Sequence, residues 1–173
     1  MAESRVSQLV RLPSAEAPAA RISASRLLAF GLRIAAAAGL GIDAFVHATS
    51  AGLYDGPAGG LVTEGNLFRA EAAASVLLAA LVLIRPAPST WLAVLVVAGT
   101  ALGAVILYRY IDIGPIGPVP DLYEPTWQVP GKLASAYAEG AVLALSALAL
   151  TLRRDLRLPF GVNPPRMSAQ RRG

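Results

Sequence analysis

The chain has 173 residues, 55% hydrophobic and 15% charged, with a formal charge of +4 and a mean hydropathy of +0.55, well above an ordinary soluble domain. The absence of cysteine excludes thiol nucleophiles, disulfide exchange, Cys-ligated zinc and iron–sulfur clusters from this chain. A single histidine, His47, excludes bis-histidine haem and multi-histidine metal sites within one chain, so no metal site is expected. The basic residues flank apolar runs, which makes a lipid bilayer, and not nucleic acid, the expected partner.

Residues 1–26 carry Arg5, Arg11, Arg21 and Arg26 without a sustained apolar period, which predicts a flexible basic tail. An apolar segment over 27–49 follows, interrupted by Arg33, Asp43 and His47. Its long basic leader and internal arginine separate it from a cleaved signal peptide, so an uncleaved span is expected. A Gly-rich turn from Ala51 to Gly65 leads to a second span over 66–84, with Thr63 placed to cap its helix. Arg85-Pro86-Ala87-Pro88 ends that span, because proline lacks an amide donor and disfavours helix at the residue before it. The third span covers 91–110. A proline-rich connection from Ile113 to Gly131 then leads to the fourth, over 132–152, which Arg153 and Arg154 close before a second basic tail, 153–173.

Four spans joined by short loops predict an all-α integral membrane protein, an antiparallel four-helix bundle. Eleven of the 15 Lys and Arg residues fall in the two tails and the loop between the second and third spans. By the positive-inside rule both termini are cytoplasmic, in a multi-pass protein of the cell (plasma) membrane. Small residues recur at four-residue spacing as Gly31/Ala35/Gly39, Gly99/Gly103 and Ala136/Gly140/Ala144, which predicts packing faces within the bundle. No oligomeric state follows from them.

The informative residues are those that a bilayer disfavours. Asp43 lies six residues before Thr49, Glu71 seven after Glu64 and Glu139 seven after Lys132, each roughly 10 Å inside the outer boundary at the helical rise per residue. Convergence of three spans on one depth predicts a shared outer vestibule facing the bundle interior. His47 follows Asp43 by four residues and shares its helix face. Arg69, Arg109 and Lys132 stand at the mouth, as headgroup contacts or as counter-ions of the carboxylates. Tyr108, Tyr110, Trp91 and Trp127 suit an interfacial belt, and Arg33 suits snorkelling to the inner headgroups. The candidates for ligand binding or proton handling are therefore Asp43, His47, Arg69, Glu71, Tyr108, Arg109 and Glu139. The connection Asp112 to Trp127 reads equally as a lid on the vestibule or as a plain loop. Nucleotide-binding, nucleophile-elbow and zinc-protease motifs are missing, and no catalytic residue is assigned.

The four short spans, the histidine near the end of the first, and Leu67-Phe68-Arg69 opening the second resemble the small four-helix bacterial membrane proteins that include the DoxX-like families. High Ala, Arg and Gly usage is similar to proteins of high-GC actinobacteria. The group includes quinone-linked redox subunits, so the resemblance implies a quinone as the one cofactor class to consider; composition alone implies none. Three functions follow in order of expectation. The first is an accessory or scaffold subunit contacting a larger membrane protein, because the chain is small and lacks a complete catalytic set. The second is a vestibule binding a quinone- or lipid-like molecule, with Asp43, His47 and Glu139 handling protons and Tyr108 or Arg109 orienting the headgroup. The third is proton or ion transport by an oligomer.

Overall fold

Thr63 does what its position predicts: its side chain accepts a hydrogen bond from the Asn66 amide at 3.1 Å, and the helix it caps begins at once, with Glu64 in the first turn. In the computed structural model, which describes residues 17–56 and 62–156, that helix is the second of four. They are α1 Ala17–Ser50, α2 Glu64–Ile84, α3 Pro88–Tyr110 and α4 Lys132–Leu156, with one 3-10 turn at Ala51–Tyr54. Among the described residues there is no strand beyond a single bridge between Ile116 and Val119. All four helices are long and apolar enough to cross a membrane, with mean hydropathies of 1.6, 2.0, 2.3 and 1.6 over their apolar stretches.

The helix ends differ from expectation in instructive ways. Pro88 does not sit in a breaker loop but opens α3 at its first turn, where a missing amide costs nothing. The first helix already includes residues 17–26, expected as tail, and its apolar stretch starts at Ala24. At the other terminus the apolar span ends at Leu152, yet the helix continues through Arg153 and Arg154 to Leu156. Arg5, Arg11, Arg157, Arg166, Arg171 and Arg172, and with them most of the charge bias behind the expected orientation, lie outside the described residues.

The helices form a ring in which α1 packs on α2 and α4, α3 packs on α4 and α2, and the diagonal pairs do not meet. The inward stripe of α1 is Leu32, Ala36, Leu40, Asp43, Ala44 and His47, and that of α4 is Ser135, Ala138, Glu139, Val142, Ser146 and Ala149. The outward faces carry Phe30, Phe45, Val76, Leu77, Ile84, Leu92 and Val96, all exposed. The outward faces are apolar and the buried polar groups are set among the apolar residues of the core, an arrangement compatible with a lipid environment.

The expectations for Trp91 and for part of the small-residue faces are corrected. Trp91 is fully buried in the core with Leu78, Val82 and Val94, so it packs the bundle and does not anchor an interface. Arg33 Nε donates to the Val82 carbonyl at 3.1 Å, one of the carbonyls the last turn of α2 leaves without an amide partner. Of the small-residue faces, Gly39 meets Val142 and Gly99 meets Leu143, but Gly31 and Gly103 have open space where a side chain would go.

Candidate functional site

The distal end of the bundle, where α1 stops and α4 begins, gathers the polar residues. A turn of α1 separates Asp43 from His47, and both point inward, 3% and 9% exposed. His47 Nδ1 stands 3.0 Å from Asp43 Oδ1 and 3.1 Å from the Asp43 carbonyl. Ser75 of α2 donates to Asp43 Oδ2 at 2.7 Å, and Ser135 of α4 lies 2.7 Å from Asp43 Oδ1. The same Ser135 hydroxyl is 2.9 Å from Glu139 Oε1, one turn on along α4, while Glu139 Oε2 is buried without a hydrogen-bond partner. Three helices thus tie one polar cluster around the Asp43 carboxylate.

Above the cluster lies a cavity of about 200 Å³. It exists because the buried stripe of α3 stops at Ala98: the next inward positions, Ala101, Ala104 and Val105, border empty space, and α2 and α3 pack most sparsely of the neighbouring pairs. His47 and Ser135 form part of the cavity wall, with Leu67, Phe68, Glu71 and Tyr108. The His47 ring stands edge-on to Phe68 at 5.0 Å, and Phe68 in turn contacts Tyr54 at 4.7 Å.

The connection 111–131 lies over this cavity, to which it contributes Leu122, Glu124, Val129 and Pro130. Of the two readings of that loop, the lid describes its position. Glu124 holds it down through four bonds: its amide donates to the Tyr108 carbonyl at 3.1 Å, its Oε1 accepts from Tyr54 at 2.8 Å, and its Oε2 and carbonyl accept from Lys132 at 2.9 and 3.0 Å. Gly131, at φ +84°, turns the chain into α4 against Val46, where a Cβ would lie 2.7 Å from Val46 Cγ1.

The sequence candidates therefore divide. Asp43, His47 and Glu139 come together, and Glu71 and Tyr108 join them through the cavity. Arg69 does not: it makes a two-pronged pair with Asp55, at 2.6 and 2.8 Å, on the exposed rim. Arg109 stacks over Tyr110 and Trp127 at 5.0 and 5.8 Å, away from the cavity wall. Lys132 serves Glu124 and not the buried carboxylates. Sequence reasoning passed over Ser75, Ser135 and Glu124; Ser135 was legible as the residue four before Glu139 on one helix face, whereas Glu124 sits in a loop with no period to read.

Comparison with protein-family models, curated proteins and solved structures finds no match for the chain.

Proposed function

We propose that this is a multi-pass membrane protein, both termini cytoplasmic, whose distal cavity binds the headgroup of a quinone- or lipid-like amphiphile. The observation that carries the reading is the cavity of about 200 Å³ under a pinned loop, with apolar walls and a few polar groups that converge on it. That pattern is the usual one for a small-molecule site. The volume falls below the roughly 300–1,000 Å³ of pockets that enclose a whole drug-sized ligand, so it suits one ring or headgroup. The tail of such a molecule leaves through the sparse α2–α3 packing into lipid. Tyr108 and Lys132 supply donors for a carbonyl or phosphate oxygen, and Phe68 offers a ring face. The likeness to the DoxX-like group, with its quinone-linked members, points the same way. An accessory role within a larger complex is compatible with such a site, but among the described residues no surface feature favours it over ligand binding.

Native mass spectrometry of protein ejected from gently extracted membranes tests the proposal. The wild type is expected to carry one small molecule, and Ala104→Phe, which fills the cavity from α3, is expected to lose it while keeping its helical circular dichroism. A bare wild-type chain, or a filled variant that still carries the molecule, overturns the reading.

A further inference from the structure

We propose that Asp43, His47 and Glu139 form a binding site for a divalent transition-metal ion at the floor of the cavity. One ligand atom from each of the three lies within 4.8 Å of the others, and the residues are only 3%, 9% and 2% exposed. Donor atoms around a zinc ion stand roughly 3–3.5 Å apart, given bonds near 2.0–2.2 Å. The 3.0 Å between His47 Nδ1 and Asp43 Oδ1 already meets that spacing, and small side-chain rotations bring in Glu139.

Two independent observations indicate that a positive charge belongs at this position. Glu139 Oε2, on a residue 2% exposed, has no donor at all, a costly state for a buried oxygen. The Ser135 hydroxyl has one proton but faces two carboxyl oxygens, at 2.7 and 2.9 Å. Apart from His47, which stands 3.0 Å from Asp43 Oδ1, the cationic side chains described at this end are engaged elsewhere. Arg69 is paired with Asp55 and Lys132 with Glu124, Arg109 stacks over Tyr110 and Trp127, and Arg33 bonds Val82 at the opposite end of the bundle. Two carboxylates and one imidazole without a thiolate select the zinc, iron and manganese class, with loss of the Nδ1 proton on binding.

The surroundings fit a metal centre beyond its ligands. Ser75 fixes the second Asp43 oxygen at 2.7 Å, and Phe68 fixes the imidazole plane, as supporting groups do in metal sites. His47 and Ser135 also border the cavity, which gives the ion a route in and leaves a coordination position open towards any occupant. The site stands whether or not an amphiphile fills the space above it.

The test uses the full chain in lipid nanodiscs, stripped with chelator and titrated with zinc alone. One zinc per chain is expected, with affinity reduced at least ten-fold in Glu139→Gln and in Asp43→Asn. Because loss of a buried carboxylate can also loosen the bundle, zinc-edge X-ray absorption of the wild type is a second test, expected to show oxygen and nitrogen donors with one imidazole. Failure of the wild type to take up stoichiometric zinc, undiminished binding by Glu139→Gln, or a zinc shell without imidazole overturns the proposal. So does an infrared band from a protonated carboxyl that vanishes in Glu139→Gln yet persists in the zinc-saturated wild type, since a proton then holds the place assigned to the ion.

Discussion

Gly39 of α1 and Val142 of α4 touch so closely that a Cβ on the glycine would lie 2.5 Å from Val142 Cγ2. The contact is one turn from Asp43 on α1 and one turn from Glu139 on α4, so the approach of two backbones at a glycine sets the distance between two carboxyl groups. Gly39→Ala is therefore expected to push the helices apart and to destabilise the bundle by about 1–3 kcal/mol, the usual cost of overpacking. Gly103→Ala, where nothing lies within 4 Å, is expected to have no such cost and serves as control. Unfolding titrations in mixed micelles compare the two. Equal stability of both variants would show that α1 and α4 have slack at this level.

Ser75 tests how much the Asp43 carboxylate depends on its donors. It is fully buried and gives its only proton to Asp43 Oδ2 at 2.7 Å. Ser75→Ala leaves that oxygen without a donor in a place water does not reach, at an expected cost of about 1–3 kcal/mol. Thr49 also uses its hydroxyl, but on the exposed surface and towards the Phe45 and Val46 carbonyls of its own helix; Thr49→Ala is expected to stay within about 0.5 kcal/mol. The same unfolding titration measures both, and an equal loss from the two changes would contradict the buried network.

Residue by residue, the sequence was most legible where a helical period carried the message. The Asp43–His47 spacing, the common depth of Asp43 and Glu139, and the Thr63 cap all follow from counting along a helix. Legibility failed where a partner lies across a loop. Arg69 finds Asp55 because the 3-10 turn Ala51–Tyr54 folds back on α2, close enough that a Cβ on Gly65 would collide with Asp55 and with the Ala51 carbonyl. No periodicity encodes that return. Trp91 was misplaced for another reason: a tryptophan at the end of an apolar segment has the same chemistry whether it faces headgroups or the core, and only the neighbouring Leu78, Val82 and Val94 decide it. The acceptor of Arg33 Nε, a carbonyl of α2, has no signature in side-chain sequence.

The rim pair gives a pH dependence whose sign can be worked out. Hydrogen bonds from Arg69 hold the Asp55 carboxyl below the usual aspartate range. A group with a depressed folded-state value binds its proton more readily in the unfolded chain, so the pair's stabilisation is fully present above the ordinary aspartate range. It is lost as pH falls through that range and below the folded value. Wild type and Arg69→Ala should therefore differ by a constant amount from neutral pH down to the aspartate range, and the difference should close in more acid solution. Thermal melts across an acid series read the difference. Both partners are half exposed, so added salt should shrink it; a difference that grows in acid would mean that another group controls the rim.

Glu124 ties the loop to three parts of the distal end, since Tyr54, Tyr108 and Lys132 all bond it. The Lys132 side chain is only 10% exposed and its carboxylate partner 28%, so the ion pair is shielded well beyond an ordinary surface pair. Glu124→Ala frees a nearly buried ammonium and the Tyr54 hydroxyl together, at an expected cost of about 1–3 kcal/mol. The loss should be local. Hydrogen exchange is expected to quicken across 111–131 and at the first turn of α4, while the amides around Trp91 at the far end keep their protection. Glu124→Gln retains a side-chain acceptor for Tyr54 but not the charge facing Lys132, and should fall between wild type and alanine. If the loop is the roof of a working site, ligand dissociation from Glu124→Ala should speed up in step with that exchange. Faster exchange with unchanged dissociation would make the loop a cover that ligand does not pass, and direct attention to the sparse packing between α2 and α3 as the route.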